Sequence, residues 1–156
     1  IQIDFQLAER FGMEYVDSDG TKKYPYVIHR TSIGCYERTL ALLLEKYAGA
    51  LPTWLAPIQV KVLPISDHYM EYANSVSEEL QKVGIRVEVD TRKEKIGYKI
   101  REAQLEKVPY MLIVGEKEQA EGAVSVRDRK EGDTGSVKLN EFIDTILKKV
   151  ASKSKD

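Results

Sequence analysis

The run His29-Arg30-Thr31-Ser32-Ile33-Gly34-Cys35-Tyr36-Glu37-Arg38 holds the first chemistry this chain could perform. An apparent strand ends at His29 in a polar turn, and the turn launches a helix with Arg38 in its first turns. A guanidinium is planar and permanently charged, so it can stack on a purine and still reach phosphate oxygens. A helix N-terminus adds partial positive charge nearby. Nucleotide contact is therefore one reading of Arg38. The other, which residue types alone favour, is that Glu37 and Arg38 are ordinary surface charges. His29 could ligate a metal or sit hydrogen-bonded at a strand end. A catalytic zinc takes about three protein ligands, and the only other soft donors are His68 and Cys35. His68 lies far along the chain near a helix start. No complete zinc site is encoded here; if His29 binds zinc, its partners lie upstream of Ile1.

A second candidate stretch runs from Asp90 to Arg101. It holds Arg92, Lys93, Lys95, Lys99 and Arg101, with Arg86 just before it. Gly97 allows close backbone approach and Tyr98 offers a ring for stacking. Single-stranded RNA loops are read by such stacking and by hydrogen bonds to base edges. The competing reading is a solvated face, because Glu88, Asp90, Glu94 and Glu102 are interleaved with the basic residues.

These residues need elements to position them. Ile1, Ile3, Phe5 and Leu7 alternate with polar positions, the period of a half-buried strand. Asp17-Ser18-Asp19-Gly20 signals a turn, and Tyr24 to His29 forms a returning, antiparallel strand. A helix follows from about Gly34 to Tyr47, with Leu40, Leu43, Leu44 and Tyr47 on one face and Gly49 as its stop. Ala50 to Pro57 has no usable period and reads as a connector. Its Leu51, Trp54 and Leu55 predict that it is packed rather than free.

Beyond Pro57 strands and helices alternate. Ile58, Val60 and Val62 mark a strand ended by Pro64. Tyr69, Tyr72, Ala73, Val76, Leu80 and Val83 mark a helix capped by Ser66 or Asp67. Ile85, Val87 and Val89 form the next strand, and a helix spans about Ile96 to Lys107. The apolar run Tyr110 to Val114 predicts a central strand buried on both faces. Short strands near Ala123–Arg127 and Ser136–Lys138 follow, with Gly132 and Gly135 at the turn between them. A last helix carries Phe142, Ile143, Ile146, Leu147 and Val150 on one face, with Asn140 as N-cap. The pattern implies a mainly parallel sheet with right-handed crossovers.

The chain has 156 residues, 42% hydrophobic and 31% charged, which fits a soluble globular protein. No apolar run approaches the roughly 20 residues of a membrane span, and the N-terminus lacks a secretory pattern. A single cysteine fits a reducing cytoplasm. Net charge of −1 argues against a general polyanion binder, whose affinity comes from many cations on phosphates. Any RNA contact must come from a local basic face. The absence of a glycine-rich phosphate loop or a nucleophile–base pair argues against a small α/β enzyme with its own site. A first residue that falls inside a strand suggests a piece of a longer chain.

The run Val27–Leu44 (VIHRTSIGCYERTLALLL) resembles motif 3 of class II aminoacyl-tRNA synthetases, in the form used by the threonyl-tRNA synthetase family. Ile1–Phe5, Pro52-Thr53-Trp54-Leu55-Ala56-Pro57 and Glu94–Glu102 are similar to the same family in the same order. His29 in its strand together with the PTWLAP connector favours threonine over the prolyl, histidyl and glycyl relatives. The resemblance implies an α/β architecture. Residues 1–50 would be the end of a class II catalytic domain, with antiparallel strands and the motif 3 helix. A connector at 51–57 would lead to an anticodon-binding domain at 58–156, with a mixed five-stranded sheet flanked by helices.

Residue by residue, the resemblance implies that His29 is one of three zinc ligands. The zinc would bind the amino and hydroxyl groups of threonine and so reject valine. Arg38 would contact ATP, and Gln2 would line the threonine pocket. Arg101, Glu118 and Arg127 would read anticodon bases; Lys93 stands where the family commonly has asparagine, at another contact. Cys35 replaces a common serine and is expected to pack rather than act as a nucleophile. The implied whole enzyme is a cytoplasmic, homodimeric threonine–tRNA ligase using ATP, Mg²⁺ and Zn²⁺ to charge tRNA(Thr), with no membrane partner. This piece alone is expected to be monomeric and inactive but to recognise the anticodon. The alternative is a stand-alone accessory RNA-binding module of the anticodon-domain type. Residues 1–48 would then have no reason to carry His29 and Arg38.

Overall fold

The computed structural model describes residues 1–155 and divides the chain into two compact units, Ile1–Leu42 and Leu43 onward. In the first unit, β1 (Gln2–Asp4) pairs antiparallel with β4 (Val27–His29), so that Gln2 lies opposite His29. The strand expected to reach Leu7 stops at Asp4. Its Oδ1 accepts the N–H groups of Gln6 and Leu7, each at 2.8 Å, and turns the chain into α1 (Leu7–Arg10). A local carboxylate that satisfies free N–H donors outweighs the alternation pattern there. β2 (Tyr15–Val16) and β3 (Lys22–Lys23) flank the foreseen turn, where Thr21 N donates to Asp19 at 2.9 Å. The returning strand starts at Val27 rather than Tyr24; Pro25 has no N–H to give a ladder. Helix α2 covers Tyr36–Tyr47, two residues later than expected, and none of its residues is buried. Cys35, expected to pack, is exposed, and its thiol donates to Glu37 Oε2.

The second unit runs β5 (Val60–Pro64), α3 (Met70–Lys82), β6 (Val87–Val89), α4 (Ile96–Leu105), β7 (Tyr110–Val114), α5 (Glu116–Glu121), β8 (Ala123–Asp128), β9 (Gly132–Lys138) and α6 (Leu139–Ser152). The sheet order is β6-β5-β7-β8-β9; the first three strands are parallel and the last two antiparallel. This is the mixed five-stranded sheet flanked by helices that the resemblance implied; the mainly parallel sheet expected from the strand–helix alternation holds only for β6, β5 and β7, because β8 and β9 pair antiparallel. One face packs Val60, Val62, Leu112, Val114, Val124 and Val126 beneath α3 (Ala73, Val76, Leu80) and α6 (Phe142, Ile146). The opposite face packs Leu63 and Met111 against Ala103 of α4, with Ile96 and Ile100 beside them.

Departures from the expected boundaries are local. Strand β9 begins at Gly132, so the turn falls on Arg129-Lys130-Glu131 and Gly135 lies within the strand. Helix α6 starts at Leu139, which puts Lys138, not Asn140, at the cap. Ser66 precedes a 3-10 turn (Asp67–Tyr69) and makes no side-chain cap. Helix α5 was not foreseen: it is short, has no buried residue, and carries no apolar period to read.

The connector is packed, as expected. Leu51, Pro52, Thr53 and Ala56 are buried. Arg86 donates to the carbonyls of Ala56 (2.9 and 2.8 Å) and Trp54 (3.0 Å), and Arg129 to those of Leu51 (3.0 Å) and Lys107 (2.8 Å). Gln59, 1% exposed, donates to Thr53 O and accepts from Arg86 N. Side chains pair the carbonyls of Leu51, Thr53, Trp54 and Ala56 because the connector forms neither helix nor strand.

Candidate nucleic-acid interface

Strand alternation decides which side chains share a face. Val124 and Val126 of β8 point into the α3–α6 core, so Ser125 and Arg127 point to the face that α4 covers. Arg127 lies opposite Met111 on β7 and Asp133 on β9; Ser125 lies opposite Ile113 and Ser136. Helix α4 packs on β5 and supplies the buried residues of that face. The β8–β9 half carries polar side chains: Ser125, Arg127, Asp133 and Ser136. Val126 pairs with Gly135 and Arg127 with Asp133, so Thr134 is the extra residue of a bulge placed at Arg127. A bulge bends the strand and re-aims the neighbouring side chain. Arg127 is half-buried, and its Nε is buried with no hydrogen-bond partner among the described residues. Buried donors are almost always paired, and for this one N–H the described residues supply no acceptor.

Arg101 is exposed on α4. The flank of α4 facing β5 and β6 is marked by Lys99, whose Nζ donates to Pro64 O (3.1 Å) and Asp90 O (3.2 Å). Glu106, just beyond the helix, marks the same flank by accepting from Lys61 at 2.5 Å. At about 100° per residue, Arg101 lies roughly 150° round the helix from both. Ala103, buried against the sheet, is also about 160° away, so Arg101 lies on the outer side of α4.

Glu118 and Lys93 lie at the rim formed by the C-terminal ends of the parallel strands. The chain leaves β5 through α3 to one side and reaches β7 through α4 on the other face. The ends of β5 and β7 thus form a switch-point crevice of the kind where open α/β sheets bind ligands. There Gly115 N donates to Glu118 Oε2 at 3.1 Å, which holds that carboxylate at the crevice. A Cβ on Gly115 would come within 2.6 Å of Ile65 Cδ1, so a larger residue there would require the Ile65 side chain to shift. Burial raises the pKa of the Tyr72 hydroxyl, and the Glu118 charge raises it further. Lys93 pairs with Asp67 at 3.2 Å, both exposed. Arg127 thus lies on the sheet face, Glu118 and Lys93 at its rim and Arg101 on the outer side of α4, and no hydrogen bond or ion pair joins any two of the four among the described residues.

The basic stretch is smaller than its sequence suggests. Arg86 is committed to the connector. Lys99 is 2% exposed and staples the ends of β5 and β6. Arg92 is gripped by Asp90, which accepts from its Nε at 3.0 Å and its Nη2 at 2.6 Å. Lys93, Lys95 and Arg101 remain as exposed cations. The side chain of Asp90 is 1% exposed, and the Arg92 guanidinium holds its carboxyl below the usual carboxylate range. Because the folded value lies below the unfolded one (about 3.9), the stabilisation is complete above that pH and is lost as pH falls through the folded value. Asp90→Asn is therefore expected to lower stability by about 2 kcal/mol at pH 7. That deficit should shrink below about pH 3.5, which urea melts across pH 2–7 would show. Asp90 and Lys99 were not singled out as individuals; the available signal was a carboxylate ending a strand inside a cationic run.

In the first unit Gln2 and His29 face each other across β1 and β4, both exposed, and Arg38 is exposed on α2. Among the described residues no three His, Cys, Asp or Glu side chains come together as a metal site. No helix among them is long and apolar enough to cross a membrane. His68 is exposed in the 3-10 turn.

Comparison with known proteins agrees with this fold. Residues 59–149 match the family described as "Anticodon binding domain", and residues 1–47 match "tRNA synthetase class II core domain (G, H, P, S and T)". The chain is 65% identical over 153 residues to a threonine–tRNA ligase of Clostridium perfringens, covering 98% of this chain and 24% of the relative. It is 58% identical over 154 residues to that of Caldanaerobacter subterraneus, covering 99% and 24%. The chain therefore spans about a quarter of the length of these curated relatives. The crystal structure of the RNA binding domain of threonyl-tRNA synthetase from Cryptosporidium parvum superposes with a TM-score of 0.72 at 39% identity, covering 94% of this chain and 38% of that one. A mixed five-stranded fold and a family match across that fold agree: the chain belongs to the anticodon-binding domain family, with a stretch similar to the class II synthetase core ahead of it.

Proposed function

We propose that this chain is the anticodon-reading end of a threonine–tRNA ligase, and that its second unit binds the anticodon loop of tRNA(Thr). The observation that carries the reading is Arg127, an arginine with a buried unpaired Nε, set on a bulge facing the uncovered half of the sheet. Threonine anticodons share guanine at the second position. Guanine offers N1–H and N2–H donors and O6 and N7 acceptors. Glu118, with Oε1 left over after Gly115 takes Oε2, suits the donors; Arg101 and Arg127 suit the acceptors. Lys93 supplies a rim cation for a further contact. A wrong base leaves these groups unpaired, which is the strongest source of discrimination available to a polar site.

Residues 1–50, read as the end of a catalytic domain, would contribute Gln2 to the threonine pocket and Arg38 to ATP, with Mg²⁺ on the nucleotide. Exposure of Ile1, Ile3, Phe5, Ile28, Leu40 and Leu42 supports this, as a core surface awaiting the rest of such a domain. His29 would be one zinc ligand of three. The residues present here do not complete a zinc site, so no step is drawn through the metal. Connector 51–57 and anticodon domain 58–156 complete the assignment. The whole protein would work as a cytoplasmic homodimer. The chain alone is expected to give no ATP–pyrophosphate exchange above background; measurable exchange would contradict the division of labour.

Fluorescence anisotropy with RNA hairpins tests the binding reading. A hairpin carrying a threonine anticodon is expected to bind at least tenfold more tightly than one with adenine at the second position. Equal affinity for both would remove the reading.

A further inference from the structure

Arg92 and Tyr98 form a feature that the roles assigned above leave unused. Asp90 holds the Arg92 guanidinium by Nε and Nη2, and the Arg92 backbone N–H also donates to Asp90 Oδ1 at 3.1 Å. The Arg92 Cζ stands 5.8 Å from the centroid of the Tyr98 ring. Both side chains stay open to solvent: Arg92 is 42% exposed and Tyr98 47%. Arg101 follows Tyr98 by three residues, one turn along the same helix side. A phosphate anchor needs an uncompensated cation, and the Asp90 carboxylate already compensates Arg92. What remains on offer is a pair of planar groups, a guanidinium held by Asp90 and a phenol ring beside it, set together before any ligand arrives.

The geometry points to Arg92 and Tyr98 as a preformed stacking platform for an unstacked base of the RNA loop, with Asp90 as the residue that positions it. This rests on the anticodon-loop reading and adds to it a contact without net charge. Aromatic and guanidinium planes take any base by its π-face, so the platform supplies affinity while Glu118, Arg101 and Arg127 supply selectivity. Locking the arginine in advance also lowers the ordering cost of binding.

The test is the affinity of the 156-residue chain for the threonine-anticodon hairpin, measured from 50 to 200 mM salt, with melting curves to confirm that each variant folds. Arg92→Lys keeps the charge and loses the plane; Tyr98→Phe keeps the ring and loses the hydroxyl. Arg92→Lys and Tyr98→Ala are each expected to weaken binding about tenfold with the slope of log K against log salt unchanged. Tyr98→Phe should bind like the unaltered chain. If Arg92→Lys binds normally while Arg92→Ala lowers the salt slope by about 0.7, Arg92 is a phosphate contact and the platform is overturned. Normal affinity in Arg92→Lys, Arg92→Ala and Tyr98→Ala alike, in a chain that still selects its anticodon, overturns the platform alone. Failure of the unaltered chain to bind any hairpin overturns the anticodon reading and the platform with it.

Discussion

Arg127→Ala is expected to weaken binding of a threonine-anticodon hairpin by 10- to 100-fold while leaving the melting temperature unchanged or slightly higher. Each well-made arginine–base contact contributes about 1–3 kcal/mol of discrimination, and 1.4 kcal/mol is tenfold. The second half of the expectation follows from the unpaired Nε. A buried donor without an acceptor detracts from stability until a ligand arrives, so removing it relieves the free protein and disables the bound one. Arg127→Lys keeps a charge but not the planar fork, and should recover little of the lost affinity. Hairpin affinity and a thermal melt on the same samples check both halves. A variant that melts early and binds weakly would make Arg127 a structural residue instead.

Phe142→Ala is expected to remove about 3–5 kcal/mol of stability from the second unit, the range for truncating a buried aromatic. Phe142 is 4% exposed and meets the Tyr110 ring edge-on, with centroids 5.6 Å apart and planes at 75°. It joins α6 to the central strand beneath the bulged hairpin that carries Arg127, so its loss should loosen the reading face together with the core. For a domain near 100 residues this corresponds to a melting temperature lower by roughly 15–30 °C. Leu42→Ala, at an exposed position of α2, should change stability by less than about 0.5 kcal/mol. Urea melts followed by circular dichroism separate the two outcomes.

The parts of the fold legible from residues alone were those with a strong period. The apolar run Tyr110–Val114 became the central strand, and the Phe142–Val150 stripe became α6. Elements set by a single local hydrogen bond were not legible. Asp4 diverts β1 into α1, and α5 is a short turn of helix with no apolar face. The site was readable only as residue types. Sequence order could list six cations between Arg86 and Arg101, but not what holds them, which for Arg86 and Lys99 includes carbonyls far off in the chain. Arg86 belongs to Ala56 and Trp54, and Lys99 to Pro64 and Asp90, because strand pairing brought those carbonyls within reach. Arg127 gave the opposite lesson. Its placing rests on a bulge opposite it and on a buried Nε for which the described residues supply no acceptor, and neither leaves a mark in composition or periodicity.

Amide chemical-shift mapping of the chain titrated with the threonine-anticodon hairpin would interrogate the reading face residue by residue. Shifts should concentrate at Gly115–Glu118, Ser125–Arg127 and Thr134–Ser136, on the half of the sheet beside α4 and along its rim, and at Arg101 on the outer side of α4. Shifts confined to the outer surfaces of α3 and α6, with Ser125 and Arg127 unmoved, would contradict the account.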